Sequence, residues 1–201
     1  MTRLLLVRHG ETEGDSALRY WGKSDVRLSV KGLAQAERLR DRLTCENINA
    51  IYSSDLTRAR AAAEIIASGH SLPIISCPEL REVNFGELEG LTFDEISQKY
   101  PGVARLWIER SPKLEYPGGE SRDDFTRRVV CFRKRLAKLA PSDSVLIVAH
   151  SGVLRTLICE LLGCGPDVRW NLRCDLASLS ILEMHDSESM LTLLNDLSHL
   201  R

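Results

Sequence analysis

The stretch Leu4-Leu5-Leu6-Val7-Arg8-His9-Gly10-Glu11-Thr12 (LLLVRHGET, residues 4–12) decides how the chain is read. Leu4 to Val7 read as a short buried strand that runs directly into Arg8, His9 and Gly10. A cation, a titratable imidazole and a residue of free backbone conformation thus stand at a strand's C-terminal end, where ligands bind in open α/β sheets. His9 then reads as a nucleophile. Its neutral imidazole attacks a phosphorus atom, Arg8 holds the phosphoryl oxygens, and Gly10 lets the backbone turn tightly and approach the ligand. The competing reading is a strand that ends in ordinary surface polar residues, and these three residues alone do not separate the two.

The same logic recurs twice. VLIVAHSG, residues 145–152, is a five-residue apolar strand followed by His150, a glycine and a helix from Val153 to Leu162. AIYS, residues 50–53, is a second short strand, after which Ser54-Asp55 begin an alanine-rich helix from Arg58 to Ala67. Arg58 falls on that helix's first turn, where free N–H groups and the positive dipole end face an anion. Taken alone, Arg58 is more simply a solvated helix arginine. In a parallel sheet, however, the strand ends share one edge, so Arg8, His9, Arg58 and His150 can converge. Two arginines and two histidines suit a phosphate dianion through charge-assisted, bidentate hydrogen bonds. A close arginine–phosphate contact is worth about 4 kcal/mol of Coulomb attraction at an effective dielectric near 20. The arginines also lower an imidazole's pKa and keep His9 neutral. A metal is the rival ligand for two histidines, but metal sites prefer carboxylates and thiolates to neighbouring arginines.

Between these blocks the pattern is coarser. Residues 10–30 lack apolar periodicity and are expected to cover or line a site. Leu33, Ala36, Leu39 and Leu43 recur at helical spacing from Lys31 to about Thr44. PIIS, residues 73–76, reads as a third strand. Thr92 with Glu95 and Ser121 with Asp124 fit capping boxes, and a further helix carries Leu106 and Trp107. Phe125, Val129, Phe132, Leu136 and Leu139 form the stripe of a long core-facing helix. Its arginines and lysines, among them Arg128, read as a solvated face rather than a nucleic-acid surface. Residues 176–184 and 189–195 read as a closing hairpin. Strands alternating with helices predict an α/β fold, a three-layer α/β/α sandwich with a mostly parallel central sheet and an antiparallel edge strand. Residues 1–201 are expected to form one domain, with the helical stretch 92–140 as an insertion over the site.

Composition excludes several classes of function. A net charge of −1 gives no general attraction to nucleic acid or acidic membranes. No apolar run is long enough to span a bilayer, and the opening apolar patch is too short for a signal peptide. The six cysteines are scattered without CxxC pairs, which favours reduced thiols and a cytoplasmic location over a disulfide scaffold.

A nucleophile needs a proton donor for the leaving alkoxide. Glu82, Glu87 and Glu89 in the acid-rich stretch PELREVNFGELEG are candidates, and spacing alone does not choose among them.

Arg-His-Gly-Glu-Thr at 8–12 resembles the signature of the histidine phosphatase superfamily, also called phosphoglycerate-mutase-like. The resemblance runs through Gly22, Asp25, Leu28 and residues 32–36. It continues in YSSDLTRA (52–59), LREVNFGELEG (80–90), PGGES (117–121) and VAHSGVLR (148–155), in family order over nearly the whole chain. It implies that His9 becomes transiently phosphorylated and that Glu82 is the acid/base residue. It further implies that Arg8, Arg58, His150, Thr12 and Gly22 bind substrate. Water then hydrolyses the phosphohistidine, with no metal and no organic cofactor. One position departs from the pattern: Asp15 stands where the family usually has Asn, and a carboxylate there would repel a phosphate unless it is protonated, turned away or paired with an arginine.

Phosphoglycerate mutases of this family carry an insertion after the acid/base glutamate that this chain lacks, which favours hydrolysis over transfer. The stretch LLGCGPDVRWNLRCDLASLSILEM is similar to alpha-ribazole phosphatases, which act in cobalamin biosynthesis, and to metal-independent phosphoserine phosphatases. The resemblance therefore implies a small phosphorylated metabolite as substrate, with alpha-ribazole 5′-phosphate first and phosphoserine or a mutase reaction as alternatives. It is compatible with a homodimer. Arg169, Trp170 and Arg173 in that stretch read as packing at a loop or subunit contact rather than as substrate contacts. From another class, a non-catalytic phosphate-binding protein could use the same scaffold, although mere binding needs neither nucleophile nor acid.

Overall fold

The strand β1 (Thr2–Arg8) runs through the middle of a six-stranded sheet whose residue pairing decides where the site forms. The computed structural model describes residues 1–14, 18–137, 139–185 and 188–201, so Asp15 lies outside the described residues. The other strands are β2 (Ala50–Ser53), β3 (Ile74–Ser76), β4 (Ser144–Ala149), β5 (Leu179–His185) and β6 (Glu188–Asp196). Their order across the sheet is β3-β2-β4-β1-β5-β6. β1 pairs in parallel with β4, Leu6 opposite Ile147 and Arg8 opposite Ala149, so the residues after both strands emerge side by side. β5 is antiparallel to β1, and β6 to β5, so the closing hairpin forms the antiparallel edge of the sheet.

Alternation along β1 and β4 builds three layers. Leu4, Leu6, Val145 and Ile147 face one side, where they meet Val129 and Phe132 of α5 (Arg122–Leu136) and Val153 and Leu157 of α6 (Ser151–Leu162). Leu5, Val7, Leu146 and Val148 face the other, against Leu39 and Leu43 of α1 (Val30–Leu43) and Ala62 and Ile66 of α2 (Thr57–Ala67). All of these residues are fully buried. Each large one contributes roughly 1.5–3 kcal/mol of transfer free energy. A one-residue slip of β1 would exchange the two faces, so its register, and with it the place of His9, is strongly specified.

Local signals act largely as their residue types dictate. Thr92 caps α3 (Phe93–Lys99) with a full capping box: Thr92 Oγ1 accepts from Glu95 N at 3.2 Å, and Glu95 Oε2 from Thr92 N at 2.8 Å. Pro101 opens α4 (Pro101–Ile108), where its missing N–H costs nothing. Ser121 caps α5 by accepting from Asp124 N at 3.0 Å, but the reciprocal bond is absent. The short Asp124 side chain takes the Ser121 hydroxyl at 2.7 Å instead of reaching the Ser121 N–H. On α1 the buried face is Gly32, Ala36, Leu39 and Leu43, while Leu33, one residue out of phase, is exposed. α5 ends at Leu136, and Leu139 packs on the same core from beyond the helix.

Gly10 is required where β1's continuation meets α1. A Cβ there would lie 2.7 Å from the carbonyl oxygen of Gly32. The glycine allows α1 to press its backbone against the stretch that follows β1.

Candidate active site

His9 is held from three sides. Its backbone N–H donates to Ala149 O at 3.1 Å, its carbonyl accepts from Ala177 N at 3.0 Å, and the ring lies with Nδ1 2.7 Å from Gly10 O. A carbonyl oxygen can only accept, so Nδ1 carries the proton and Nε2 keeps its lone pair. Arg58 Nε–H points at that lone pair from 3.3 Å. His9 is 6% exposed. Burial first, then the charges of Arg58 and Arg8, hold its pKa well below the ordinary imidazole range. The ring is therefore neutral at physiological pH, in the one tautomer that turns a nucleophilic nitrogen toward the arginine.

Arg58 is fully buried on the first turn of α2, and backbone carbonyls fix its guanidinium. Nη1 donates to Ser24 O at 2.7 Å, and Nη2 to Gly22 O at 2.6 Å and Trp21 O at 3.2 Å. One Nη1–H remains for a ligand, and Nε–H becomes available when it leaves His9 Nε2. Gly22 thus stands behind Arg58, supplying a carbonyl. A Cβ on Gly22 would collide with Val83 O at 1.9 Å. Arg8 Nη1 donates to Cys174 O at 2.8 Å, while its buried Nε has no partner among the described residues. His150 stands at the N-cap position of α6 without a side-chain bond to the helix, and lies edge-on to His9, with ring centroids 4.9 Å apart. Its Nε2 sits 2.9 Å from Ser54 Oγ, its buried Nδ1 is unpartnered, and burial followed by Arg58 lowers its pKa well below the usual range.

The three candidate glutamates separate clearly. Glu82 lines the cavity beside His9, with Oε2 accepting from Gly152 N at 3.0 Å and Oε1 from Val83 N at 3.0 Å. The N-terminus of α6 therefore holds this carboxyl in place. Glu89 clips the loop behind Arg58: its carboxylate accepts from the N–H groups of Gly22, Lys23, Ser24 and Phe85 at 2.9–3.1 Å. Glu87 accepts from the Tyr100 hydroxyl at 2.8 Å, away from the histidines.

Arg128 belongs to the site's scaffold, contrary to its reading as part of a solvated face. It donates to the carbonyls of Glu79 at 3.0 Å, Arg81, and Glu82 at 2.9 Å, and forms a two-pronged pair with Glu120 at 2.7 and 2.9 Å. This clamp sets the backbone that carries Glu82. Only a folded turn can gather three carbonyls, so helical spacing held no sign of it; Glu120 does lie in the PGGES block.

Arg8, His9, Thr12, Arg58 and Glu82 meet on one wall of a cavity of about 410 Å³. Thr12 is buried there at 3% exposure. Leu18, Tyr20 and Trp21 of the 10–30 loop also line it. Facing them, Trp107, Leu114, Tyr116 and Phe125 form an apolar side, with Tyr20 packed on Trp107 at 4.7 Å between centroids and Trp107 on Tyr116 at 5.4 Å. Arg169 and Trp170 line the cavity as well, so they are not merely loop packing. Arg173 does turn away, into an exposed pair with Asp175 at 2.8 Å. Among the described residues, no group of three or more His, Cys, Asp or Glu could hold a metal ion, and no helix is long and apolar enough to cross a membrane.

A buried neutral imidazole between two arginines, faced by a carboxyl on a helix N-terminus, is an arrangement chemically able to transfer a phosphoryl group. The chain belongs to the histidine phosphatase superfamily (branch 1), whose profile matches residues 4–197. It is similar to phosphoserine phosphatase 1 of Hydrogenobacter thermophilus, 35% identical over 200 residues that cover 100% of this chain and 95% of that protein. It is also similar to the adenosylcobalamin/alpha-ribazole phosphatase of Salmonella typhimurium, 34% identical over 193 residues and 96% of each chain. The crystal structure of the alpha-ribazole phosphatase from Shigella flexneri superimposes with a TM-score of 0.88 at 30% identity, covering 96% of both chains. By family and relatives, the chain is a small-metabolite phosphatase.

Proposed function

We propose that the protein hydrolyses a small phosphomonoester through a phosphohistidine at His9. The observation that carries this reading is the arrangement of His9 itself: Nδ1–H committed to Gly10 O, and Nε2 bearing a lone pair beside Arg58. The phosphoryl group takes the free N–H groups of Arg58 and Arg8. With Ser54 Oγ donating to His150 Nε2, His150 Nδ1–H adds a further donor. Thr12 stands at the same wall, and Gly22 acts through Arg58.

In the first step His9 Nε2 forms a bond to phosphorus, the phosphorus–oxygen ester bond breaks, and the leaving oxygen takes the proton of the Glu82 carboxylic acid. In the second, a water oxygen attacks phosphorus and the Glu82 carboxylate takes its proton. The phosphorus–nitrogen bond then breaks, and His9 returns neutral. The arginines stabilise the charge on the equatorial oxygens throughout. These steps use only this chain's side chains and water.

The alcohol half lies against the aromatic side of the cavity. This lining supports alpha-ribazole 5′-phosphate, whose alcohol carries a fused ring; the arginines at the far end of the cavity favour the alternative, phosphoserine. Residues 92–140 act as an insertion over the site within one domain spanning 1–201, supported by the place of Trp107, Leu114 and Phe125 in the cavity. The setting is cytoplasmic, as the metabolic relatives suggest, and a homodimer is compatible with it.

The test is inorganic phosphate release without added metal, together with trapping of radiolabelled phosphate on the protein. Label that is stable to alkali and lost in acid, and absent from His9→Ala, is the expected result. Turnover by His9→Ala at the wild-type rate would overturn the mechanism. Phosphate binding with no turnover by the wild-type protein would instead favour the non-catalytic alternative.

A further inference from the structure

Trp170, on the short 3-10 stretch Pro166–Asn171, has two guanidinium groups near its ring. Arg155 of α6 lies 5.9 Å from the ring centroid and Arg169 lies 5.1 Å from it. All three side chains line the cavity that holds His9 and Glu82. Arg155 uses only Nε, which donates to Ser151 O at 3.2 Å, and its Nη atoms have no partner among the described residues. Arg169 has no hydrogen-bond partner among them.

The other arginines of this cavity are all accounted for. Arg19 pairs with Glu95 at 2.9 Å and Arg122 with Asp167 at 2.9 Å. Arg8 and Arg58 are fastened to carbonyls beside His9. Among the described residues, neither Arg155 nor Arg169 forms an ion pair. Nor are the two isolated from other cations: Arg169's pKa is lowered by burial and then by the charge of Arg122, and Arg155 is among the charges acting on Arg8. Arg155 and Arg169 thus lie among further cations of the same cavity, and the carboxylate that acts on Arg169, Asp167, is already paired with Arg122. Half-buried cations of one sign repel one another and attract an anion into the space between them. A flat guanidinium on an aromatic ring keeps its in-plane N–H donors free for a carboxylate or phosphate.

We propose that Arg155 and Arg169, flanking Trp170, form a second anion subsite. The substrate is then a phosphomonoester whose alcohol half carries a further anionic group, a carboxylate or a second phosphate. This rests on the phosphatase reading, since it seats the ester phosphate at His9. The alcohol half crosses the Tyr116 side of the cavity and its anion ends at Trp170. Phosphoserine meets this requirement; an alpha-ribazole ester, with no second anion, leaves both arginines uncompensated.

The test is calorimetric binding to His9→Ala protein, which removes turnover, with matched pairs of esters. Phosphoserine and phosphoethanolamine differ by one carboxylate; propane-1,3-diol bisphosphate and propyl phosphate differ by one phosphate. The anionic member of a pair is expected to bind at least tenfold tighter. Arg169→Gln or Arg155→Gln added to that background should remove most of the difference, with Arg169→Lys retaining part of it. A gain in the first pair only assigns a carboxylate subsite, and in the second only a phosphate subsite. Equal binding within both pairs overturns the proposal, as does an equal loss for both members in the glutamine variants. Neither of those results touches the phosphatase reading, which is tested separately by phosphate release and by trapping of the phosphohistidine.

Discussion

Arg58 directs its Nε–H at His9 Nε2 from 3.3 Å while three backbone carbonyls hold the rest of its guanidinium. The contact has two consequences. It keeps a cation beside the imidazole, which penalises protonation, and it marks the place where a phosphoryl oxygen takes over the same N–H. Nucleophile and anion receptor are therefore one hydrogen-bonded unit before any ligand arrives.

Because His9 is held neutral well below the usual imidazole range, the acid limb of kcat/KM should lie below pH 6.5 rather than at it. A profile with p-nitrophenyl phosphate from pH 4 to 8, corrected for ionisation of the ester, checks this. A limb centred on an ordinary histidine value would show that His9 is not the depressed group seen here.

The same depression links stability to pH. Folded His9 and His150 stay neutral where the unfolded chain, with histidines near pH 6.5, takes up protons. The unfolded state then binds more protons, so stability rises with pH and falls as pH drops below about 6.5. The slope is about 1.4 kcal/mol per pH unit for each such histidine. Denaturant midpoints measured between pH 7 and 5 should fall accordingly, and less steeply in His150→Asn. An unchanged slope in that variant would remove His150 from the linkage.

Gly152 leaves room for the acid. A Cβ at this position would stand 2.4 Å from Glu82 Oε1, so Gly152→Ala must displace the carboxyl. Alanine also favours the helix by about 1 kcal/mol over glycine. Activity and stability should therefore separate. Turnover of alkyl phosphates is expected to drop about 10–100-fold while the melting temperature holds or rises. Glu82→Gln should give the same signature, slowing poor leaving groups far more than p-nitrophenyl phosphate. An equal effect on both classes of ester would count against the acid role.

Glu89 acts at one remove, through the loop that seats Arg58. Glu89→Ala strips acceptors from the N–H groups of Gly22, Lys23, Ser24 and Phe85. A cost of about 2–4 kcal/mol in stability follows from charged hydrogen bonds worth about 1.5–3 kcal/mol each, partly replaced by water. Inorganic phosphate should bind about tenfold more weakly, since Arg58 loses its fixed seat; Glu89→Gln, with one acceptor oxygen left, should recover part of both. Phosphate affinity unaltered in Glu89→Ala would show that Arg58 needs no such support.

Much of this was legible in the chain itself. LLLV and VLIV read as buried strands, each delivers a histidine two residues past its end, and Thr92 with Glu95 is a cap whose chemistry is complete within four residues. Such features rest on near neighbours and on short-range periodicity, so residue type determined them. What the tertiary structure alone decided is everything that needs partners distant in sequence. Glu82 stands out from Glu87 and Glu89 because the N-terminus of α6, 70 residues later, supplies its hydrogen bond. Arg128 looks like any helix arginine until the turn at 79–82 wraps three carbonyls around it. Arg155, Arg169 and Trp170 become one surface only when α6 and the following 3-10 stretch fold against the cavity. Spacing along a chain encodes which face a residue takes, and the folded backbone decides what that face meets.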